Sequence, residues 1–149
     1  MPDRLEVHAH GGLILDGRLH HGASDVAGEI GHTTIETSGR RCKCGNYGCL
    51  EKLASATAVE SLAMLLSLSA KPMTSREVYE LAMDGNEKAR MIFTQMGRAL
   101  GIALANLINT FNFPLYLLSG GMLPAWNLFW PHLEEQVKLR SFTYRNTKT

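Results

Sequence analysis

Gly28-Glu29-Ile30-Gly31-His32, followed ten residues after its histidine by Cys42-Lys43-Cys44-Gly45-Asn46-Tyr47-Gly48-Cys49-Leu50-Glu51, decides how this 149-residue chain is read. Three thiols on one short polar loop form a soft donor set, and Gly45 and Gly48 allow the backbone reversals that turn the sulfurs toward a common point. Zinc suits such a set. A tetrahedral structural site needs a fourth ligand. His32 is the nearest histidine on the N-terminal side, and His20 and His21 compete with it. The plainer alternative is that the cysteines are small buried hydrophobes, but buried cysteines seldom cluster on a loop this polar. Four protein ligands would close the coordination sphere, so the metal would brace the loop and leave no position for an activated water.

The remaining composition narrows the setting. An odd number of cysteines confined to eight residues disfavours a disulfide framework and fits a reducing, cytoplasmic compartment. Met1 to His10 has no basic segment leading into an apolar core, so it does not read as a secretory signal. It reads instead as a non-native-looking or poorly ordered leader over residues 1–10, with one domain, itself cut at both ends, over 11–149. Ala99 to Ile108 is interrupted by Gly101 and Asn106 and falls short of a membrane span. A net charge of +1, without a run of Lys and Arg, offers no electrostatic footprint for nucleic acid.

Asp16-Gly17 between Leu13-Ile14-Leu15 and Arg18-Leu19 predicts a β-hairpin over 12–21, since both central positions of a type I′ turn require positive φ. The β-branched run Thr33, Thr34, Ile35 and Thr37 predicts a strand. From Glu51 apolar residues recur at helical spacing, predicting a helix that Pro72 stops. Thr74-Ser75-Arg76-Glu77 has the form of a capping box for a second helix running to about Met83. Asn86 can cap a third, core helix ending near Asn109. Pro114 to Leu118 is a strand candidate, Ser119-Gly120-Gly121 a tight turn, Trp126 to Leu139 a last helix, and Ser141 to Thr149 a terminal strand candidate. Trp126 and Trp130, one helical turn apart, suit packing or a subunit contact. The pattern is α/β.

On its two motifs the chain resembles the ROK family of sugar kinases and sugar-responsive repressors. Gly11-Gly12-Leu13-Ile14-Leu15-Asp16-Gly17 is similar to that family's glycine-rich hairpin, and Asn109 to Gly121 to its approach to a nucleotide-binding turn. The resemblance implies part of an actin-like (ribonuclease H-like), two-lobed α/β fold, mainly its C-terminal lobe. It implies zinc held by His32, Cys42, Cys44 and Cys49, and a hexose or N-acetylhexosamine contacted by Glu29, His32 and Glu51. Carboxylates accept hydrogen bonds from sugar hydroxyls, and an imidazole with one nitrogen on a metal still has the other to offer. By the same resemblance Gly120 and Gly121 lie against ATP, which the parent kinase uses with magnesium, and the parent assembles as a homo-oligomer.

The family's phosphate-binding Asp-Gly-Gly and its catalytic aspartate in an Asn-Asp pair have no counterpart in this sequence. Glu6-Val7-His8-Ala9-His10 stands where a Gly-Thr-Gly run is expected. Asp16 and Asp25 are the nearby aspartates, one in a hairpin turn and one in the loop before the sugar motif, and neither suits a base. The expected function is thus a sugar-binding fragment of an ATP-dependent hexose kinase, inactive alone; the effector-binding domain of a repressor is the alternative.

Overall fold

The computed structural model describes residues 9–146; residues 1–8 of the leader expected over 1–10 and the last residues of the expected terminal strand lie outside them. The predicted hairpin is present but short, with β1 (Ile14–Leu15) pairing antiparallel to β2 (Arg18–Leu19) in the register Ile14 with Leu19. Asp16 and Gly17 turn the chain at φ 50° and 73°, as a type I′ turn demands. A 3-10 turn, Ile30–His32, then carries the histidine of the motif.

Thr33 to Thr37 does not form the predicted strand. Thr34 makes one antiparallel bridge to Cys49, and the N–H groups of Ile35 and Glu36 both donate to the Gly48 carbonyl at 2.8 and 3.2 Å. Two residues opposite one acceptor form a bulge, and Gly48, at φ 65°, turns its own segment away before a ladder can extend. Tertiary context here outweighs β propensity.

The single helix predicted from Glu51 is two. Helix α1 (Glu51–Ala54) ends at Ser55, whose extended backbone caps α2 (Ala56–Leu65); the Ser55 hydroxyl accepts from the Ala58 N–H at 3.0 Å and donates to the Glu51 carbonyl at 2.7 Å. A serine that can bond both helices locally makes the break. The capping box of α3 (Ser75–Met83) forms as expected, with Glu77 accepting from the Thr74 N–H at 2.7 Å and Thr74 accepting from the Glu77 N–H at 3.3 Å. Asn86 caps α4 (Glu87–Phe111), which runs two residues past the predicted end to a left-handed Asn112.

Helix α4 is long and apolar enough to cross a membrane by length and composition, yet it is the central core helix. Ile92, Phe93, Met96, Ala99 and Ala103 are buried together with Phe129 and Leu133 of α5 (Trp126–Arg140). Gly97 and Gly101 face α5 so closely that a Cβ at either would run into the carbonyl oxygen of Phe129 or Leu133. Small residues one turn apart thus set the helix separation. Trp126 and Trp130 stack with centroids 4.4 Å apart, packed on the core.

Two further strand expectations fail. Residues 114–118 make no backbone ladder with any described residue, and Leu115 and Leu117 are 67% and 83% exposed; a strand exists only with a partner to accept its hydrogen bonds. Ser141 begins a helix instead, its hydroxyl accepting from the Tyr144 N–H at 3.2 Å to cap α6 (Phe142–Asn146). Asn109 fixes this corner, accepting from the Phe142 N–H at 2.7 Å and donating to the Arg140 carbonyl at 3.0 Å.

Candidate metal and ligand site

The cysteine loop is a tight reversal. Cys42 N–H donates to the Asn46 carbonyl at 2.7 Å and Gly45 N–H to the Cys42 carbonyl at 3.0 Å, while Arg41 and Tyr47 form a bridge across its neck. Gly45 takes φ 95° at its tip. The turn brings three sulfurs to one place, and the Ile30–His32 turn delivers the imidazole to the same place. One ligand atom from each of His32, Cys42, Cys44 and Cys49 lies within 4.8 Å of the other three.

The donor geometry can be tested against a metal. Tetrahedral zinc, with Zn–S about 2.3 Å and Zn–N about 2.0–2.1 Å, sets sulfurs about 3.8 Å apart and sulfur from nitrogen about 3.6 Å. Cys44 Sγ and Cys49 Sγ are 3.7 Å apart, and Cys42 Sγ and His32 Nδ1 3.6 Å. The donor set therefore fits zinc. His20 and His21 stand outside this group; His21 Nδ1 faces Asp25 at 3.9 Å.

Cys42 and Cys49 are buried and Cys44 is exposed. Burial first, then hydrogen bonding and negative charge from Cys44 and Cys42, push the Cys49 thiol up to about 12. Cys44 is shifted down, chiefly by a backbone hydrogen bond at Asn46. Without a cation the buried thiolate is therefore strongly disfavoured. Beside the loop the Arg40 guanidinium donates to the Lys52 carbonyl, tying the loop to α1, and burial lowers its pKa against the opposing charge of Glu36.

The expected sugar contacts take distinct places. Glu29 precedes the 3-10 turn with its side chain 44% exposed, and its Oε2 lies 3.9 Å from His32 Nε2. His32 thus turns Nδ1 to the thiols and Nε2 to a carboxylate. Glu51, the first residue of α1, is buried and accepts from the Ala9 N–H at 2.7 Å. It shares with His32 a small cavity of about 150 Å³.

Gly120, at φ 128°, and Gly121 line a different and larger cavity of about 800 Å³, together with Gly11, Gly12, Leu104 and Phe129. A Cβ at Gly120 or Gly121 would meet nothing within 4 Å. Glu29, His32 and Glu51 do not themselves line this trough, although Ala9, His10, Ile30 and Leu50 beside them do, so the trough runs from the nucleotide candidates to the edge of the metal and sugar candidates. Sequence reasoning missed His10, whose Nδ1 is 3.5 Å from Glu29 Oε2, and the Ala9 N–H. The only available signal was a histidine directly before the glycine pair, and nothing in its spacing ties it to Glu29.

The description "ROK family" matches residues 9–149. The chain is 34% identical over 141 residues to the DNA-binding transcriptional repressor Mlc of Escherichia coli K12, covering 90% of this chain and 35% of that protein. It is 32% identical over 139 residues to a glucokinase of Thermotoga maritima, covering 85% and 44%. The crystal structure of a ROK hexokinase from Thermus thermophilus superposes with a TM-score of 0.84 at 34% identity, over 91% of this chain and 45% of that one. The chain spans between about a third and somewhat under half the length of these proteins.

Proposed function

This chain belongs to the ROK family and forms part of its actin-like, two-lobed α/β fold, and we propose that it is the zinc-bearing, hexose-binding part of an ATP-dependent sugar kinase. The observation that carries this reading is the division of His32 between two neighbours, Cys42 Sγ at 3.6 Å from Nδ1 and Glu29 Oε2 at 3.9 Å from Nε2. Zinc held by His32, Cys42, Cys44 and Cys49 would neutralise the thiolates and brace the loop. His32 then presents its second nitrogen in a fixed orientation, and the carboxylates of Glu29 and Glu51 accept hydrogen bonds from hydroxyls of a hexose or N-acetylhexosamine. Leu50 alone separates Glu51 from Cys49, so the same loop positions both.

Phosphoryl transfer to a sugar requires ATP with magnesium, an in-line hydroxyl and a group to accept its proton. Gly120 and Gly121 are the residues we assign to the nucleotide side, on the ground that their backbone faces an open cavity. Neither candidate base is convincing: Asp16 occupies the hairpin turn and Asp25 faces His21. We therefore expect the 149-residue chain to bind sugar without phosphorylating it.

The second reading, the effector-binding region of a repressor, has the support of the comparable identity to Mlc. Calorimetric titration of the zinc-loaded chain with glucose, N-acetylglucosamine and N-acetylmannosamine tests the shared core of both readings; a folded, zinc-loaded chain that binds none of them refutes it. Sugar-dependent ADP release by a polypeptide that carries this chain within the full two-lobed fold favours the kinase. Its absence, together with sugar-sensitive DNA binding, favours the repressor. ADP release by the 149-residue chain itself would refute the expectation of inactivity.

A further inference from the structure

The segment Ala9-His10-Gly11 is anchored on both sides of its histidine. Ala9 N–H donates to Glu51 Oε2 at 2.7 Å, and Gly11 N–H donates to the Gly28 carbonyl at 2.8 Å. The approach is close enough that a Cβ on Gly28 would collide with the Gly11 carbonyl and one on Gly31 with the Ala9 carbonyl. Two glycines of the sugar motif therefore admit this segment, and its backbone touches one of the two proposed sugar carboxylates.

His10 reaches the other. Its Nδ1 lies 3.5 Å from Glu29 Oε2, the same oxygen that stands 3.9 Å from His32 Nε2. Glu29 Oε2 is thus approached by two imidazoles, one on the metal loop's side and one on the anchored segment. Oε1 accepts no hydrogen bond from any described residue. A carboxylate contacted at one oxygen from two directions loses rotational freedom, while its second oxygen stays available as an acceptor.

We infer that His10 is a positioning residue of the hexose site, holding the Glu29 carboxylate through Oε2 so that Oε1 meets a sugar hydroxyl already oriented. A neutral imidazole with the proton on Nδ1 is sufficient for this. The inference rests on the reading of Glu29 as a hexose contact.

The test uses the zinc-loaded 149-residue chain and its His10→Ala, His10→Asn and Glu29→Gln variants, titrated with glucose and N-acetylglucosamine, alongside zinc content and the NMR resonances of labelled histidine. His10→Ala should weaken hexose binding roughly three- to tenfold, the worth of one ordinary hydrogen bond. His10→Asn, which can donate to the same oxygen, should recover most of that loss. Zinc content should not change in either, and Glu29→Gln should shift the His10 ring resonances. Unchanged binding in His10→Ala while Glu29→Gln loses it overturns the inference alone, as does a His10→Asn variant no better than His10→Ala. Equal binding by Glu29→Gln and the unsubstituted chain, or no hexose binding by the unsubstituted chain, overturns the inference and the reading beneath it.

Discussion

Gly101→Ala should destabilise the chain although alanine is the better helix former. In isolation the change gains up to about 1 kcal/mol of helix propensity. In the structure the new methyl would lie 2.7 Å from Gln136 Cβ, 3.0 Å from Leu133 Cα and closer still to the Leu133 carbonyl oxygen. That oxygen belongs to the α5 backbone, so no side-chain rotation relieves the clash and the helices must separate. A gap of about 0.5–1 Å forfeits a quarter to a half of the dispersion energy at each contact it opens. The affected surface carries Phe93, Met96, Phe129 and Leu133, all buried. Overpacking costs about 1–3 kcal/mol, and a methyl pressed this closely on a backbone oxygen stands in the upper part of that range, about 2–3 kcal/mol; set against the propensity gain, the net loss is about 1–2 kcal/mol, or roughly 2–8 °C in Tm for a domain of this size. Urea unfolding followed by circular dichroism at fixed free zinc would measure it. A Gly101→Ala chain as stable as the parent would refute the close-packed description of α4 and α5. Gly121→Ala, with nothing near the added methyl, is the control and should shift stability by no more than about 0.5 kcal/mol.

Other consequences follow from the metal loop and the apolar surface. With chelator present, Cys49 keeps its proton in the folded chain up to about 12 against an ordinary value of 9.0. The Cys49 contribution to metal-free stability should therefore be fully held below pH 9.0 and be lost between pH 9.0 and about 12. With zinc the dependence reverses, because protons compete with the metal for the thiolates and stability falls as the solution is acidified; parallel urea midpoints across pH test both limbs, and matching profiles would contradict the site. We propose that the exposed Leu115 and Leu117 belong to a homo-oligomer contact: Leu117→Lys, at a position 83% exposed, should leave the unfolding free energy within about 0.5 kcal/mol of the unsubstituted chain and reduce self-association in sedimentation velocity. Association unchanged by this variant would exclude the 114–118 segment from the contact.

What could be read in advance was whatever depends on few neighbouring residues. The Asp16-Gly17 turn, the Thr74–Glu77 capping box and the Asn86 cap are local devices, and each forms as its residues specify. The His–Cys cluster was equally legible, because three of its members are on one loop; spacing alone left His32 in competition with His20 and His21, the family resemblance implied His32, and the fold carries that imidazole across ten residues to the sulfurs. Segments whose state depends on distant partners were misread. Thr33 to Thr37 has β propensity but meets only the bulged end of the cysteine loop. Ser141 begins a helix through Asn109, thirty-two residues earlier in sequence, and residues 114–118 find no strand to pair with among the described residues. His10 was hidden for the same reason, since only the packing of Gly11 on Gly28 places it beside Glu29.

We propose that His32 serves two sites with its two nitrogens. Zinc content and hexose affinity measured together on His32→Ala and Glu29→Ala chains test this directly. His32→Ala should lose both zinc retention and sugar binding, and Glu29→Ala should lose sugar binding while keeping its zinc. A His32→Ala chain that retains full zinc content would contradict it.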